Sequence, residues 1–343
     1  MRTLVLSLGA SLLVATACTA VGCGGSDTNT PDNDASTGTT GARPPARPSS
    51  GSPTSTKRTF AIKQLLLGDT SRSGSKSADA WRAYGYDLDG QSSTGDSKDV
   101  CTHPGRTSSH EDGDQARDNS FGRNIIKFIQ QAGQSNPTTT LTENIGKGSF
   151  GILLQVDGLE DTASQTATGL KGQVLLGGKL TSAPTFDKSF DWPTRADSTP
   201  VNFSNAYVVD GKFVSGDPTD VKLSLVFSGL KLTVNIKRAQ ISFDYKAPNK
   251  ASNGLITGIL DTAEFVAEVQ RVGGAIAASL CPGGSLAADV KSTLEEASDI
   301  RTDGSNGASS ACNGISVGIG FEAEEVGNPT KTVPAETEGE ICK

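Results

Sequence analysis

The sequence predicts a mainly β fold, an antiparallel β-sandwich with two or three helices packed on it. Two neighbouring segments, 221–227 and 230–236, alternate apolar and polar side chains, which is typical of half-buried strands. Forty glycines and an aromatic content of 5% favour closely apposed strands over a large aromatic pocket. Helical spacing of apolar residues is found in a few short stretches, so we expect the helices to pack against the sheets.

The first half of the chain contains one predicted strand and one predicted helix. The strand is expected at Phe60–Ile62 and Leu65–Leu67, where two apolar runs lie close together. Residues 121–132 change to helical spacing, and Asp118 stands where an N-cap acceptor belongs. From Ile145 onward the pattern becomes β.

The alternation of the strand pair changes phase at Lys237–Arg238. From Leu230 to Ile236 the apolar residues hold even positions, whereas beyond Arg238 they hold odd positions from Ala239 to Tyr245. A slip of one residue would turn every apolar side chain to the wrong face, so the sequence predicts a β-bulge or a corner at these two residues.

Two helices and a strand are predicted in the last third of the chain. Asp261 and Glu264 resemble a capping box before a helix that reaches Ile276. A second helix is expected between Leu286 and Ile300. The final strand, 315–321, has glycines on one face, which would let another element approach closely.

The N-terminal 22 residues have the features of a lipoprotein signal peptide. Their apolar run is too short to span a bilayer, which needs about 20 apolar residues, and small residues precede Cys23. Cys23 is the predicted acylated residue, with Cys18 as the alternative. Residues 23–57 are rich in Gly, Ser, Thr and Pro and predict a disordered tether, followed by a single β-rich extracytoplasmic domain over 58–343. The expected location is the cell envelope, at the outer membrane, with the lipid as the membrane anchor.

Charge and motif content argue against several classes of function. The chain has 31 basic and 38 acidic side chains, a net charge of −7; without the signal peptide, which contains Arg2, the balance is 30 to 38, or −8. An acidic chain without a basic block is a poor candidate for nucleic-acid binding. Nucleophile-elbow, phosphate-loop and dinucleotide motifs are missing, and Ser73-x-x-Lys76 lacks the partner motifs of serine hydrolases. No residue is therefore assigned a catalytic role.

Four cysteines remain beyond the two N-terminal ones: Cys101, Cys281, Cys312 and Cys342. An even number of cysteines in an exported protein predicts two disulfides. Of the three possible pairings we favour Cys281 with Cys312, which would close a loop of about 30 residues, and Cys101 with Cys342, which would tie the C-terminal tail to the body.

Residues 87–118 hold eight acidic and three basic side chains, a local net charge of −5. Closely spaced carboxylates repel one another unless a cation lies between them, and Ca²⁺ takes six to eight oxygen ligands. Asp87-x-Asp89-Gly90 matches part of an EF-hand loop, although Gly85 stands where the first ligand belongs. The sequence predicts Ca²⁺ ligands among six aspartates: Asp87, Asp89, Asp96, Asp112, Asp114 and Asp118.

Three other interpretations of this acidic segment remain open. It can be a solvated polar loop with Asx turns, which is the commoner situation. Cys101, His103 and His110 could be drawn as a transition-metal site, although a disulfide cysteine with two surface histidines is commoner. Two of the carboxylates could form the acid–base pair of a hydrolase that acts on glycan.

Two blocks of the sequence carry a family resemblance. The first contains Tyr86–Gly90, Asp112-Gly113 and Asp118–Gly122, and the second runs from Cys281 to Phe321 with Ala297–Ile300 inside it. They resemble an uncharacterised lipoprotein family of myxobacteria and related deltaproteobacteria over about residues 83–322. The resemblance implies an envelope location, a single fold and a Cys281–Cys312 disulfide, but no reaction. Where that family often has Gly-Ile before the Asp-Asn pair, this chain has Arg117 beside Asp118.

The expected function is that of a lipid-anchored envelope protein with a non-catalytic binding or structural domain that binds Ca²⁺. Its expected partners are the membrane, through the lipid, and an envelope component or glycan. The alternative is a carboxylate-based hydrolase acting on glycan.

Overall fold

The fold is built on one large, mainly antiparallel β-sheet, to which twelve strands of the described residues contribute. The computed structural model describes residues 41–103, 106, 108–131, 136–162, 164–227, 229–245, 249–275, 277–335 and 342. The strands are β1 (Lys57–Leu66), β2 (Gly151–Asp157), β3 (Ala167–Gly177), β4 (Thr194–Arg195), β5 (Val201–Asn202), β6 (Ala206–Val209), β7 (Lys212–Val214), β8 (Thr219–Phe227), β9 (Leu230–Asp244), β10 (Lys250–Asp261), β11 (Gly314–Val326) and β12 (Thr332–Val333). The helices are α1 (Ile126–Gln131), α2 (Pro137–Gly146), α3 (Thr262–Gly274) and α4 (Ala287–Glu295), with 3₁₀ turns at Ala80–Ala83 and Ala278–Leu280 and a π-helical turn at Phe121–Ile125. The predicted mainly β class is confirmed.

Eight of these strands form a closed circuit. Their order is β3-β2-β1-β11-β10-β9-β7-β6, and β6 pairs again with β3 through Ala167–Val208, Thr168–Tyr207 and Leu170–Ala206. Every pairing in the circuit is antiparallel. The only parallel pair among the described strands joins β12 to β4.

The core lies between opposite sides of this circuit, as in a sandwich. Phe60 of β1 and Phe243 of β9 are not on neighbouring strands, yet their ring centroids are 5.4 Å apart. Phe243 also stacks on Phe213 of β7, with centroids 4.7 Å apart. All three rings are fully buried. Aromatic pairs of this kind contribute beyond the area they bury, so they hold the two sides together.

The predicted strand pair and its irregularity are confirmed. β8 and β9 pair in register from Val221–Ile236 to Phe227–Leu230, and the register shifts beyond Val221. The β9–β10 pairing shifts between Thr257–Gln240 and Ile259–Lys237, which leaves Arg238 with a φ of 50°. The bulge therefore lies where the alternation changes phase.

The predicted helix start at Asp261 is confirmed, because its Oδ1 accepts a hydrogen bond of 3.0 Å from the backbone N–H of Glu264. The next predicted helix is shorter than expected and ends at Glu295 rather than near Ile300. Ile276, the expected end of the first helix, lies outside the described residues.

Two predictions for the first half of the chain are wrong. The helix of residues 121–132 begins with a π-helical turn, and its N-cap position is Ser120 rather than Asp118. The segment after Ile145 was expected to be β, but Ile145 belongs to α2 and the strand starts at Gly151. The sequence of α2 is largely polar, so its periodicity is weak; Pro137 at its first turn was the available signal.

The glycines of β11 do allow a close approach. A Cβ at Gly318 would lie 2.6 Å from the carbonyl oxygen of Tyr84, and one at Gly320 would lie 2.5 Å from the Tyr84 ring. The loop that follows the 3₁₀ turn Ala80–Ala83 therefore packs directly on the β11 backbone.

Residues 41–56, here called the N-terminal arm, were expected to belong to the disordered tether. In the structure they have no regular secondary structure but are hydrogen-bonded to the body. Ala42 N donates to Gln115 O (2.7 Å), and Gly158 N donates to Thr56 O (2.8 Å). The ordered body thus starts before residue 58. Residues 1–40, with Cys18 and Cys23, lie outside the described part.

The disulfides pair Cys101 with Cys312 and Cys281 with Cys342, so the favoured pairing is wrong. The short loop between Cys281 and Cys312 suggested a bond, but each of these cysteines is joined to a residue more distant in sequence, 211 and 61 positions away for Cys312 and Cys281. Cys312 instead lies beside the acidic segment, where its N–H donates to the carbonyl of Thr102. No helix in the described residues is both long and apolar enough to cross a membrane.

Candidate metal centre

Five aspartates from three loops meet beside the N-terminal end of β11. Asp87 and Asp89 follow the 3₁₀ turn, Asp112 and Asp118 precede the π-helical turn, and Asp299 lies between α4 and β11. The first two loops are joined by the N–H of Asp118, which donates to the carbonyl of Tyr86 at 3.0 Å.

Asn119 fixes the position of its neighbour Asp118. Its Nδ2 donates to the carbonyls of Trp81 (3.1 Å) and Gly318 (3.0 Å), and its Oδ1 accepts from the N–H groups of Gly318 (2.9 Å) and Gly122 (3.0 Å). The residue is buried, and both donors and both acceptor positions of the amide are used. Asp118 is thereby held against β11, next to the loop that carries Asp299.

Asp87, Asp89 and Asp118 form the centre of this cluster. One carboxylate oxygen from each lies within 4.8 Å of the others. Asp87 and Asp118 are buried, with 8% and 3% of their surface exposed, and Asp89 is half-buried. Like charges at such separations repel strongly where water is excluded.

The pKa values of the cluster reflect this burial and repulsion. Burial, followed by the charges of Asp89, Asp112 and Asp299, raises the pKa of Asp118 well above its ordinary value. Burial also raises the pKa of Asp112 to about 7, with the charges of Asp89 and Asp87 adding to the effect. The pKa of Asp299 is raised to about 7 by burial and by the charges of Asp112 and Asp89.

Backbone and amide donors orient the carboxylates. Asp87 Oδ1 accepts from Gly90 N (2.6 Å), Asp118 Oδ2 from Leu88 N (2.7 Å), Asp112 Oδ2 from Ser93 N (2.6 Å), Asp89 Oδ2 from Asn306 Nδ2 (2.6 Å), and Asp299 Oδ1 from Ser316 N (2.8 Å). A carboxylate has about four lone-pair positions, so each can still bind a cation. Among the described residues, the cationic group that contacts the cluster is Arg43, 3.4 Å from Asp87 Oδ2 and itself largely exposed.

Four of the six predicted ligands are brought together: Asp87, Asp89, Asp112 and Asp118. The other two, Asp96 and Asp114, are exposed. Gly90 has the positive φ (80°) expected after an Asp-x-Asp pair, but Asp96 does not join the cluster, so the loop is not a complete EF-hand. Arg117 was expected to weaken metal binding at the neighbouring Asp118. Its guanidinium instead donates to the carbonyl of Asp114.

Sequence reasoning missed Asp299. This residue lies in a block that was noted for its family resemblance, yet more than 180 positions separate it from the other acids. The Cys101–Cys312 disulfide joins the acidic segment 87–118 to the region that follows Asp299. The correct cysteine pairing would therefore have indicated that Asp299 lies near the other aspartates.

The histidines do not form a metal site with Cys101, whose sulfur is in a disulfide. The His110 ring hydrogen-bonds the carbonyl of Glu296 through Nε2 (2.7 Å) and meets Asn124 through Nδ1 (3.3 Å). Burial lowers the pKa of His110 to about 4, so the ring is neutral at pH 7.

Comparison of the chain with protein families, with curated proteins and with solved structures finds no match in any of the three.

Proposed function

We propose that this protein is a lipid-anchored envelope protein whose β-rich body binds Ca²⁺ through the aspartate cluster and acts as a binding module rather than as an enzyme. Cys23, or alternatively Cys18, would carry the lipid. The central ligands would be Asp87, Asp89 and Asp118, with Asp112 and Asp299 completing the oxygen set.

The observation that carries the proposal is the convergence of Asp87, Asp89 and Asp118, from two loops, with one carboxylate oxygen of each within 4.8 Å of the others. Oxygens bound to one Ca²⁺ at 2.3–2.6 Å can lie up to about 5 Å apart, whereas Mg²⁺, at 2.0–2.1 Å, limits them to about 4 Å. The cluster is therefore compact enough for one Ca²⁺ ion to reach an oxygen of all three carboxylates.

Electrostatics support the same conclusion. The raised pKa values of Asp112, Asp118 and Asp299 mean that the folded protein retains protons there to relieve repulsion. A divalent cation would relieve it more effectively, so Ca²⁺ binding should release protons near neutral pH.

The test is thermal unfolding of the mature protein with millimolar Ca²⁺ and with chelator. A ligand at one hundred times its dissociation constant stabilises the folded state by about 2.7 kcal/mol, so the melting temperature should rise by several degrees. Asp118→Asn should remove the rise, and Asp96→Asn, an exposed acid outside the cluster, should keep it. Superimposable melts of the wild type in Ca²⁺ and chelator would eliminate the metal.

The anchor is tested separately, by mass spectrometry of the N-terminus of native protein. The expected N-terminal residue is an acylated Cys23, and the protein should enter the detergent phase on partitioning. A native chain that keeps its leader and an unmodified Cys23 and Cys18 would contradict the envelope assignment.

One observation favours the hydrolase as a second candidate. A carboxyl group with a pKa of about 7, as at Asp112, is suited to act as a general acid. The glycan hydrolase predicts turnover in a broad glycoside screen that is lost in Asp112→Asn and kept in Asp114→Asn. The binding module predicts no turnover in any of these proteins.

A further inference from the structure

The N-terminal arm crosses the body as an extended segment that contains Arg43-Pro44-Pro45-Ala46-Arg47-Pro48. Proline fixes its own φ near −65° and restricts the residue before it to extended conformations. Arg43, Pro44 and Arg47 each precede a proline, so this part of the arm is stiff and extended. Its carbonyl groups are therefore free to accept hydrogen bonds from another surface.

The body supplies an aromatic hydroxyl and an acid to this segment. Tyr207 Oη donates to the carbonyl of Pro45 at 2.7 Å. The guanidinium of Arg47 lies over the Tyr207 ring, 5.4 Å from its centroid, and pairs with Asp217 Oδ1 at 2.9 Å. Asn205 orients that carboxylate by donating to its other oxygen at 2.6 Å.

The contacts repeat four residues earlier in the arm. Arg43 lies 3.4 Å from Asp87, and the N–H of Asp87 donates to the carbonyl of Ala42 at 2.8 Å. Two arginines of one extended segment thus reach two separate carboxylates of the body, with prolines between them.

The arm does not fill the surface on which it lies. A cavity of about 310 Å³ remains beside it, lined by Arg43–Ala46 of the arm and by Tyr86, Tyr207, Arg238 and Gln240 of the body. We call this the Tyr207 groove. Its room would allow a segment with bulkier side chains than those of the arm.

We propose that the Tyr207 groove is a recognition site for extended, proline-rich peptide segments that carry arginine, and that the N-terminal arm is its resident occupant. The partner is a basic proline-rich segment of another protein, an assignment that rests on the proposed role as a binding module. Docking of proline-rich segments on aromatic grooves exploits their low conformational entropy, and an acid beside the groove selects a basic residue.

The arm is a weak occupant, which leaves the groove open to exchange. Arg47 and Asp217 are exposed to 39% and 53%, and Arg43 to 57%, and an ion pair at such exposure changes affinity by no more than about fivefold. The contact of Arg47 with the Tyr207 ring adds a factor of about two to five. The arm holds the groove chiefly because it is attached, which gives it a high effective concentration.

The test uses a labelled synthetic peptide with the sequence of residues 41–50 and the full mature chain, with binding followed by fluorescence anisotropy. Wild-type protein should bind weakly, because its own arm competes. Arg47→Ala loosens the arm and should bind the peptide about tenfold more tightly, whereas Arg195→Ala, on β4 and outside the groove lining, should bind like wild type.

A double variant, Arg47→Ala with Asp217→Asn, should lose this gain, and a peptide with serine in place of both arginines should not bind to any variant. Circular dichroism checks that each variant is folded. Equal peptide affinity of wild type and Arg47→Ala, or binding that survives Asp217→Asn, would overturn the proposal. A concentration-dependent dimer that Asp217→Asn abolishes would identify the occupant as the arm of a second copy and would overturn the assignment to another protein.

Discussion

At the residue scale, Asp118 shows how one side chain can be misassigned from its neighbours. Its position three residues before a helix suggested an N-cap, but its Oδ2 accepts from Leu88 N instead. A carboxylate that bonds to a distant loop cannot be distinguished by sequence from one that bonds to the next turn. The predicted acid cluster is right in four of its members because closely spaced aspartates share two adjacent loops. The predicted cluster lacks Asp299 because that residue is distant in sequence and is brought to the other aspartates only by the tertiary fold.

Asp299→Asn should stabilise the protein in the presence of chelator at pH 8. At pH 8 the wild-type carboxyl is ionised although the folded state disfavours its charge, which is why its pKa is raised from 3.8 to about 7. Each unit of pKa shift corresponds to about 1.4 kcal/mol. The free energy of unfolding should rise by about 1–3 kcal/mol, since the amide can still accept from Ser316 N. Urea unfolding measures the gain. A loss of stability in chelator would contradict the repulsion argument.

The stability of the cation-free protein should fall as pH rises from about 6 to 8. Asp112 and Asp299 have folded-state pKa values of about 7, above the ordinary value of 3.8, so their contribution is complete below pH 4 and is lost through pH 7. The pKa of His110 is lowered from 6.5 to about 4, so this residue makes stability rise with pH, but only between pH 4 and 6.5.

Of these three groups, Asp112 and Asp299 are the ones whose protonation in the folded state changes above pH 6.5, so their effect determines the direction there. Ca²⁺ should flatten this dependence, because it replaces the protons. Melting temperatures across pH 6–8 with and without chelator provide the measurement, and a chelated protein whose stability rises across that range would disprove the prediction.

At the scale of elements, strands with a buried and an exposed face were the most predictable. β8 and β9 alternate because one face of each packs on the core, and the phase change at Lys237–Arg238 marked the bulge. α2 was missed because Thr138, Thr139 and Thr140 give no apolar stripe. The π-helical turn was not predicted either; its Gly122 packs closely against Trp81, a residue 41 positions earlier in the chain.

Gly318→Ala should destabilise the protein by about 1–3 kcal/mol, which is the usual cost of overpacking. The new methyl group would lie 2.6 Å from the carbonyl oxygen of Tyr84, a backbone atom that cannot turn away. To relieve this contact the backbone at Tyr84 would have to move away from β11. That movement would shift the following loop, with Asp87 and Asp89, and weaken Ca²⁺ binding.

Gly146→Ala is the matched control, because a Cβ at that helical position meets nothing within 4 Å. It should be neutral or slightly stabilising. Urea midpoints compare the two variants, and equal effects would show that crowding at β11 is not the cause.

At the scale of the whole molecule, the two disulfides have different tasks. Cys101–Cys312 fastens the acidic loops to the segment between Asp299 and β11, whereas Cys281–Cys342 joins the C-terminal tail to the region after α3. Their number was predictable from an even count of exported cysteines. Their pairing was not, because the fold brings together residues 211 positions apart.

Replacing Cys101 and Cys312 with serine should therefore weaken Ca²⁺ binding, while replacing Cys281 and Cys342 should leave it nearly unchanged. Both double variants should lose about 2–5 kcal/mol of stability, the usual cost of removing a native disulfide. Calorimetric titration with Ca²⁺ at a temperature where both are folded separates the two effects. Equal loss of affinity in both would show that general loosening, rather than loop attachment, is responsible.

The return pairing of β6 with β3 affects how neighbouring molecules can interact. Each of the eight strands in that circuit already has a partner on both sides, so few backbone N–H and C=O groups there are available to a strand from outside. A strand from another molecule would therefore have to pair outside the circuit, for example with β8, which among the described strands pairs with β9 alone.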